Sequence, residues 1–113
     1  MKKLISLVAL MAFAGAAGSV GAAGNAAAGK GKSAVCAGCH GVDGNSPAPN
    51  FPKLAGLDAQ YAAKQLADFK SGARKDPIMA GMVAALSRKD MDDLGAYFAS
   101  QKRSVGKPGA SAD

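Results

Sequence analysis

With 113 residues, the chain has room for one small domain at most. It carries 14 basic and 8 acidic residues, a formal net charge of +6. That balance favours an acidic partner protein or an anionic membrane surface, or it simply reflects a lysine-rich surface. The start of the chain argues against nucleic acid as a partner, because it is typical of an exported protein.

Residues 1–22 are predicted to be a signal peptide. Lys2 and Lys3 precede an apolar run over residues 4–14, and small residues at 20–22 offer a cleavage site. The alternative is a retained membrane anchor, but the run is short for a bilayer span. We therefore expect export to a bacterial periplasm, a folded domain over residues 23–106 and a flexible tail over 107–113.

The expected mature chain is poor in material for a core. Residues 23–113 contain 18 large apolar side chains: five Leu, one Ile, four Val, three Phe, two Tyr and three Met. A domain of this size is marginal even with an ordinary core, and small domains often recruit a metal, a disulfide or another bound group. The composition predicts a partner that fills the core.

Three segments have helical periodicity. The first covers about residues 26–37; the second begins at Asp58 as N-cap and stops at Gly72; the third opens with Ser87 and Asp90 at capping-box spacing. No segment alternates like a strand, so an all-α domain is predicted. Two long connections, residues 41–57 and 73–86, need something besides their own side chains to order them.

The first helix ends in Cys36, Ala37, Gly38, Cys39 and His40, the CxxCH pattern of c-type haem attachment. One helical turn places two thiols where they can reach the two vinyl groups of a haem, and the imidazole can ligate the iron. A covalently bound haem would also supply the missing apolar core.

Three other uses of this motif fit the sequence less well. A zinc site needs four ligands, and a second cluster of soft ligands is missing from the sequence. A thioredoxin-like dithiol expects a βαβ context, which is absent. A structural disulfide suits an exported protein but leaves His40 and both long loops unexplained.

The second axial ligand is predicted to be a methionine, because His40 is the only histidine. Met79 and Met82 lie in the second loop, whereas Met91 falls on the apolar stripe of the last helix and is expected in the core. Pro77 disfavours helix at the preceding residue and suits an extended approach to the iron. Met79 is preferred, and Met82 is the second choice.

The sequence resembles the class I cytochromes c, and more closely the small bacterial domains that occur in tandem in di-haem members. The resemblance spans about residues 24–106. It is carried, in the family's order, by "VCAGCHGVDGNSPAPNFPKLAG" (35–56), "YAAKQLADFKSGAR" (61–74), "PIMAGM" (77–82) and "LSRKDMDDLGAYFASQK" (86–102).

The resemblance implies three main helices and two long loops wrapped around one haem c. It implies thioethers at Cys36 and Cys39, and His40 and Met79 as axial ligands. It also implies that a proline carbonyl, expected at Pro49, accepts the free N–H of the histidine.

The same resemblance implies a crossing of the first and last helices. Gly29 or Gly31 should face Tyr97 or Phe98 there, because only a small residue permits close approach. A single CxxCH motif is present, so one haem is expected.

The predicted function is electron carriage between respiratory donor and acceptor proteins, without enzymatic activity, since both axial positions are filled and no small-molecule substrate is expected. The alternatives are a haem enzyme or gas sensor with a labile sixth ligand, and a haem subunit of a larger oxidoreductase. Candidates for a rim that steers partners are Lys53, Lys64, Lys70, Arg74 and Lys75. Candidates for a haem propionate are Tyr61, Gln65 and Arg74, with Tyr61 equally suited to the core.

Overall fold

The computed structural model describes residues 24–105, which form an all-helical domain. The helices are α1 (Ala26–Lys32), α2 (Ala34–His40), α3 (Ala59–Ser71), α4 (Pro77–Val83) and α5 (Arg88–Ser100). The predicted all-α class is confirmed, whereas the predicted signal peptide and the tail over 107–113 lie outside the described residues. Within residues 24–105 none of the helices is both long and apolar enough to cross a membrane.

The first predicted helix is two helices that meet at Ser33. Asn25 caps α1, and its side chain accepts the Ala28 N–H at 2.9 Å. The Ser33 hydroxyl donates to the Lys30 carbonyl at 2.8 Å, which competes with the helical pattern and ends α1. The chain then turns into α2, which carries the CxxCH motif and stops at Gly41, where φ is +83°.

Both limits of α3 and the start of α5 were predicted correctly. Asp58 accepts the Tyr61 N–H at 2.9 Å, and Gly72 ends α3 in the left-handed conformation. Ser87 and Asp90 form the expected capping box, with reciprocal bonds of 2.8 and 3.1 Å. Each of these boundaries is set by residues a few positions apart in the chain, so the sequence alone was enough to predict it.

The second long loop contains a helix that was not predicted. Asp76 has extended backbone angles, as expected of a residue before proline, and its carboxylate accepts the N–H groups of Ile78 and Met79 at 2.9 and 3.0 Å. Pro77 then stands at the first helical position, where its missing N–H costs nothing. The expectation of an extended approach to the iron was therefore wrong.

Helices α1 and α3 both pack against α5, and α1 does so at backbone contact. A Cβ added to Gly29 would lie 1.9 Å from the Asp93 carbonyl oxygen and 2.8 Å from the Tyr97 Cβ, so only glycine fits. Nothing lies within 4 Å of the same position on Gly31. The crossing contact with Tyr97 is thus confirmed for Gly29 and excluded for Gly31.

The apolar core is small and is centred on α5. Leu94, Tyr97 and Phe98 form its buried centre, and Met91 is 3% exposed, as predicted. Four partly buried side chains pack against this centre: Cys36, Leu54, Leu66 and Leu86. The first cysteine of the motif therefore touches the core directly.

A buried carboxylate joins the two ends of the domain. Asp93 on α5 is fully buried, and it accepts the Asn25 N–H at 2.8 Å and the ammonium groups of Lys32 and Lys89 at 2.6 and 3.0 Å. The bond from Lys32 is the main reason that the pKa of Asp93 lies well below its usual range. Lys32 also pairs with Asp90 at 2.8 Å and lowers the pKa of Asp90 to about 2.

Candidate functional site

The CxxCH residues occupy the last turn of α2. Cys36 and Cys39 are both free thiols, both are partly buried, and their spacing of three places them on one face of the helix. Burial raises the pKa of the Cys36 thiol. In residues 24–105 no cluster of three or more His, Cys or acidic side chains is placed to hold a metal ion by itself. The geometry gives no support to the disulfide or zinc alternatives.

His40 is buried, and one of its ring nitrogens is engaged. Nδ1 lies 2.8 Å from the Pro52 carbonyl oxygen, and because a carbonyl only accepts, Nδ1 carries the proton and Nε2 is the basic nitrogen. The expected partner, Pro49, was wrong. A turn closed by a bond from the Phe51 N–H to the Ala48 carbonyl places Pro49 at its tip and returns the chain to His40 at Pro52.

The loop over residues 41–57 is ordered by the protein's own backbone. The Gly44 carbonyl accepts two N–H groups, from Leu54 at 2.7 Å and from Ala55 at 3.1 Å, which folds the loop onto itself. Two more bonds tie it to α5: Gly56 N–H to the Phe98 carbonyl and the Tyr97 hydroxyl to the Val42 carbonyl, each 2.9 Å. The carbonyl that meets His40 is therefore carried by a fixed loop.

The candidate methionines stand one turn apart on α4. Met79 is half-buried, whereas Met82 is 44% exposed. Val83 is 1% exposed and anchors the end of this helix, which packs against α3. Helix α4 thus presents two thioethers, of which Met79 is the more enclosed.

The predicted basic rim is only partly present. Lys53 is 6% exposed and donates to the Ser104 carbonyl, so its assignment to a surface rim was wrong. The other four candidates are exposed: Lys64, Lys70, Arg74 and Lys75. Three of these have partners: Lys64 pairs with Asp68 at 2.6 Å, Lys70 donates to the Leu86 carbonyl at 2.5 Å, and Arg74 donates to Gln65.

The propionate candidates divide in a similar way. Arg74 donates to Gln65 at 2.7 Å and lies 4.5 Å from the centre of the Phe69 ring. Tyr61 is 50% exposed, so the core alternative for it was wrong. Two of the three propionate candidates, Gln65 and Arg74, are therefore hydrogen-bonded to each other.

The donor set and its surroundings fit a haem c. Two thiols and an imidazole whose Nδ1 is held by the Pro52 carbonyl lie close together on α2, and two thioethers lie on α4. Of the six exposed large apolar side chains among the described residues, four lie within three positions of Cys36, His40 or Met79: Val35, Val42, Ile78 and Met82. Exposed apolar side chains close in sequence to the candidate ligands suit a large apolar cofactor.

A groove of about 710 Å³ lies elsewhere, between α3 and α5. Five alanines, among them Ala63 and Ala96, contribute to its lining, which includes neither a cysteine nor His40 nor a methionine. It is separate from the CxxCH chemistry.

An all-helical domain with a CxxCH motif whose histidine is bound to a proline carbonyl belongs to the class of haem-c-binding proteins. Comparison with known families agrees, since the model of the family Cytochrome c matches residues 26–102. The chain therefore belongs to the cytochrome c family, and its cofactor is covalently bound haem c, with Cys36 and Cys39 in the CxxCH positions.

Individual relatives are similar to this chain over most of the described domain. Cytochrome c4 of Stutzerimonas stutzeri is 56% identical over 87 residues, which cover 69% of this chain and 41% of that protein. The "Thiosulfate dehydrogenase electron acceptor" of Stutzerimonas stutzeri strain A1501 is 54% identical over 63 residues, covering 55% of this chain and 29% of that protein. The chain thus spans less than half the length of these relatives.

The fold agrees with a solved structure. The reduced recombinant cytochrome c4 from Pseudomonas stutzeri superposes with a TM-score of 0.71 at 56% identity, covering 74% of this chain and 48% of that one. The class I cytochrome c fold predicted from the sequence is thus confirmed.

Proposed function

We propose that this protein carries single electrons between donor and acceptor proteins in the periplasm, on one haem c ligated by His40 and Met79. The observation that carries the proposal is the bond from His40 Nδ1 to the Pro52 carbonyl, which leaves Nε2 as the basic nitrogen. Membership of the cytochrome c family supports it. So does a relative whose name is that of an electron acceptor.

The residues of this chain hold the cofactor and fix its ligands. Cys36 and Cys39 would form the thioethers, and the Pro52 carbonyl would orient the His40 ring and raise its basicity. The haem, when bound, supplies a reversible one-electron couple. The protein's part is to keep the same ligands in both oxidation states, so that little rearrangement accompanies transfer.

Met79 is the better distal ligand. Its side chain is half-buried and it lies at the capped start of α4, whereas Met82 is 44% exposed. A thioether is a natural partner for histidine on a haem c. Two protein ligands leave no open position for a substrate, which favours a carrier over an enzyme or gas sensor.

Partners would be redox proteins with acidic docking faces, including membrane-bound complexes. Exposed Arg74 and Lys75 lie beside the start of α4, and the neighbouring Ile78 is 67% exposed. An apolar centre with basic residues beside it suits brief association steered by charge. No small-molecule substrate or nucleic acid is part of the proposal.

The test is an absorption spectrum of protein exported with a haem-maturation system, recorded oxidised and reduced, with and without carbon monoxide. A low-spin spectrum with a sulfur-to-iron band when oxidised, and no carbon monoxide shift when reduced, is expected. A shift in the unaltered protein would favour the enzyme or sensor alternative.

Two variants separate the methionines. Met79→Ala should abolish the sulfur-to-iron band and open the reduced iron to carbon monoxide, while Met82→Ala, the matched control on the same helix, should do neither. The reverse pattern would make Met82 the ligand.

A further inference from the structure

The chain beyond α5 is a strap that crosses the loop of residues 41–57. Residues 102–105, here called the C-terminal strap, follow Gln101 without helical structure. Their bonds reach back more than 45 positions in the sequence, to Asn45, Lys53 and Ala55. A tail that merely ended the domain would not need such bonds.

Asn45 pairs with the strap through both ends of its amide. Its Nδ2 donates to the Lys102 carbonyl at 3.0 Å, and its Oδ1 accepts the Ser104 N–H at 2.8 Å. The Asn45 amide thereby bonds a backbone carbonyl and a backbone N–H of the strap, as a neighbouring strand would. Because both bonds come from one side chain, the register of the strap against the loop is fixed.

Lys53 holds the strap from the interior side. Its side chain is buried, and its ammonium donates to the Ser104 carbonyl. Burying an ammonium costs free energy unless it is well bonded. The bond to Ser104 is therefore needed for Lys53 to stay in the interior. Arg103 adds a third link, donating to the Ala55 carbonyl at 3.3 Å.

Lys53 directly follows Pro52, whose carbonyl accepts the proton of His40 Nδ1. The path from strap to histidine is therefore short: Ser104, Lys53, Pro52, His40. Any movement of the Lys53 backbone changes the direction of the preceding carbonyl. Asn45 bonds the strap to the same loop, and it directly follows Gly44, whose carbonyl accepts from Leu54 and Ala55.

We propose that the C-terminal strap clamps this loop so that the Pro52 carbonyl stays on His40 Nδ1, which makes Asn45 and Lys53 positioning residues for the axial histidine. The inference rests on the proposed function, because it takes His40 as an iron ligand. Loss of either residue lets the carbonyl drift, and the histidine loses both its fixed orientation and part of its basicity.

The readout is hydrogen exchange of the His40 Nδ1 proton, followed by NMR in the reduced, haem-loaded protein. Lys53→Met removes the ammonium but keeps an apolar stem, and Asn45→Ala removes both amide bonds. Each should speed exchange at least tenfold and shift the reduction potential. Lys102→Met is the matched control, since only its backbone carbonyl takes part, and it should leave both quantities unchanged.

A second control separates positioning from general destabilisation. Asp93→Asn weakens the protein at the distant α1–α5 contact, so its exchange rate should follow global unfolding only. Equal acceleration in Asp93→Asn and Lys53→Met, at matched unfolding free energy, would overturn the proposal, as would unchanged exchange in both strap variants. If Asn45→Ala fails to fold, Asn45→Asp keeps the acceptor for Ser104, loses the donor to Lys102, and should give an intermediate rate.

Failure of the proposed function looks different. In the oxidised wild type, the His40 ring resonances should show large shifts from the unpaired electron of the iron. Their absence in the wild type would remove His40 as a ligand and the inference with it. Their presence, with no response to the strap variants, would overturn the inference alone.

Discussion

The α1–α5 crossing and the haem face of the same small domain are built in opposite ways. At the crossing, backbone meets backbone at Gly29, and a fully buried carboxylate, Asp93, receives three donors. At the proposed haem face, Cys36, Cys39 and Met79 are half-buried, and Ile78 is exposed. The crossing is completed by the protein itself, whereas the haem face is shaped for a partner that the chain does not encode.

The largest effect should follow from removing the cofactor. Replacing Cys36 and Cys39 by alanine should abolish covalent haem and leave a largely unfolded chain, because the buried core around Leu94 is too small to hold the domain. Circular dichroism at 222 nm measures the loss. Val35→Ala, an exposed neighbour, should retain both haem and helix, and a well-folded double variant would show that the crossing is self-sufficient.

The crossing itself can be broken with one methyl group. Gly29→Ala places a Cβ against the Asp93 carbonyl and should lower the free energy of unfolding by about 3 kcal/mol. Gly31→Ala meets nothing and should raise it by about 0.5 to 1 kcal/mol through helix propensity. Denaturant titration of the two haem-loaded variants checks the pair; similar values for both would disprove the close contact.

Acid should weaken the α1–α5 crossing, because two carboxylates there have lowered pKa values. The pKa of Asp93 is depressed chiefly by Lys32, and that of Asp90 is lowered to about 2 from the usual 3.8. Below about pH 4 the unfolded chain binds more protons at these carboxyls than the folded chain does. The stability that they contribute is therefore present above about pH 4 and is lost as the pH falls. Unfolding free energies at several pH values measure this slope.

The matched variant for that slope is Asp93→Asn. Its stability deficit relative to the wild type should be greatest above about pH 4 and should shrink as the pH falls towards 2, because the carboxyl then takes up a proton in the unfolded wild type, which favours unfolding. A deficit that does not change with pH would mean that Asp93 acts by packing and not by charge.

A modest loss of stability is expected where the two regions join. Tyr97→Phe removes the hydroxyl bond to the Val42 carbonyl while the ring stays in the core, and it should cost about 1 kcal/mol. The Tyr97 residue is 6% exposed, so the ring of the variant keeps its buried position. Thermal unfolding of the haem-loaded protein would check the difference, and no change would mean that Val42 is equally well bonded to water.

The local chemistry of the chain was predictable, and its long-range choices were not. Asp58, Gly72 and the Ser87–Asp90 box set helix ends within one turn, so the sequence revealed them. The choice between Pro49 and Pro52 depended on a turn that three closely spaced prolines leave undetermined. The burial of Lys53 depended on a strap 51 residues away, because nothing in its neighbours marks it as interior.

The sequence by itself determined the cofactor chemistry and the helical class, because CxxCH spacing and capping pairs act over one helical turn. Only the tertiary structure decided which glycine lies at the crossing, which proline holds His40 and which lysine leaves the surface. Those outcomes depend on contacts between segments far apart in the chain, where packing and the need to bond every buried polar group select one partner among several chemically equal residues.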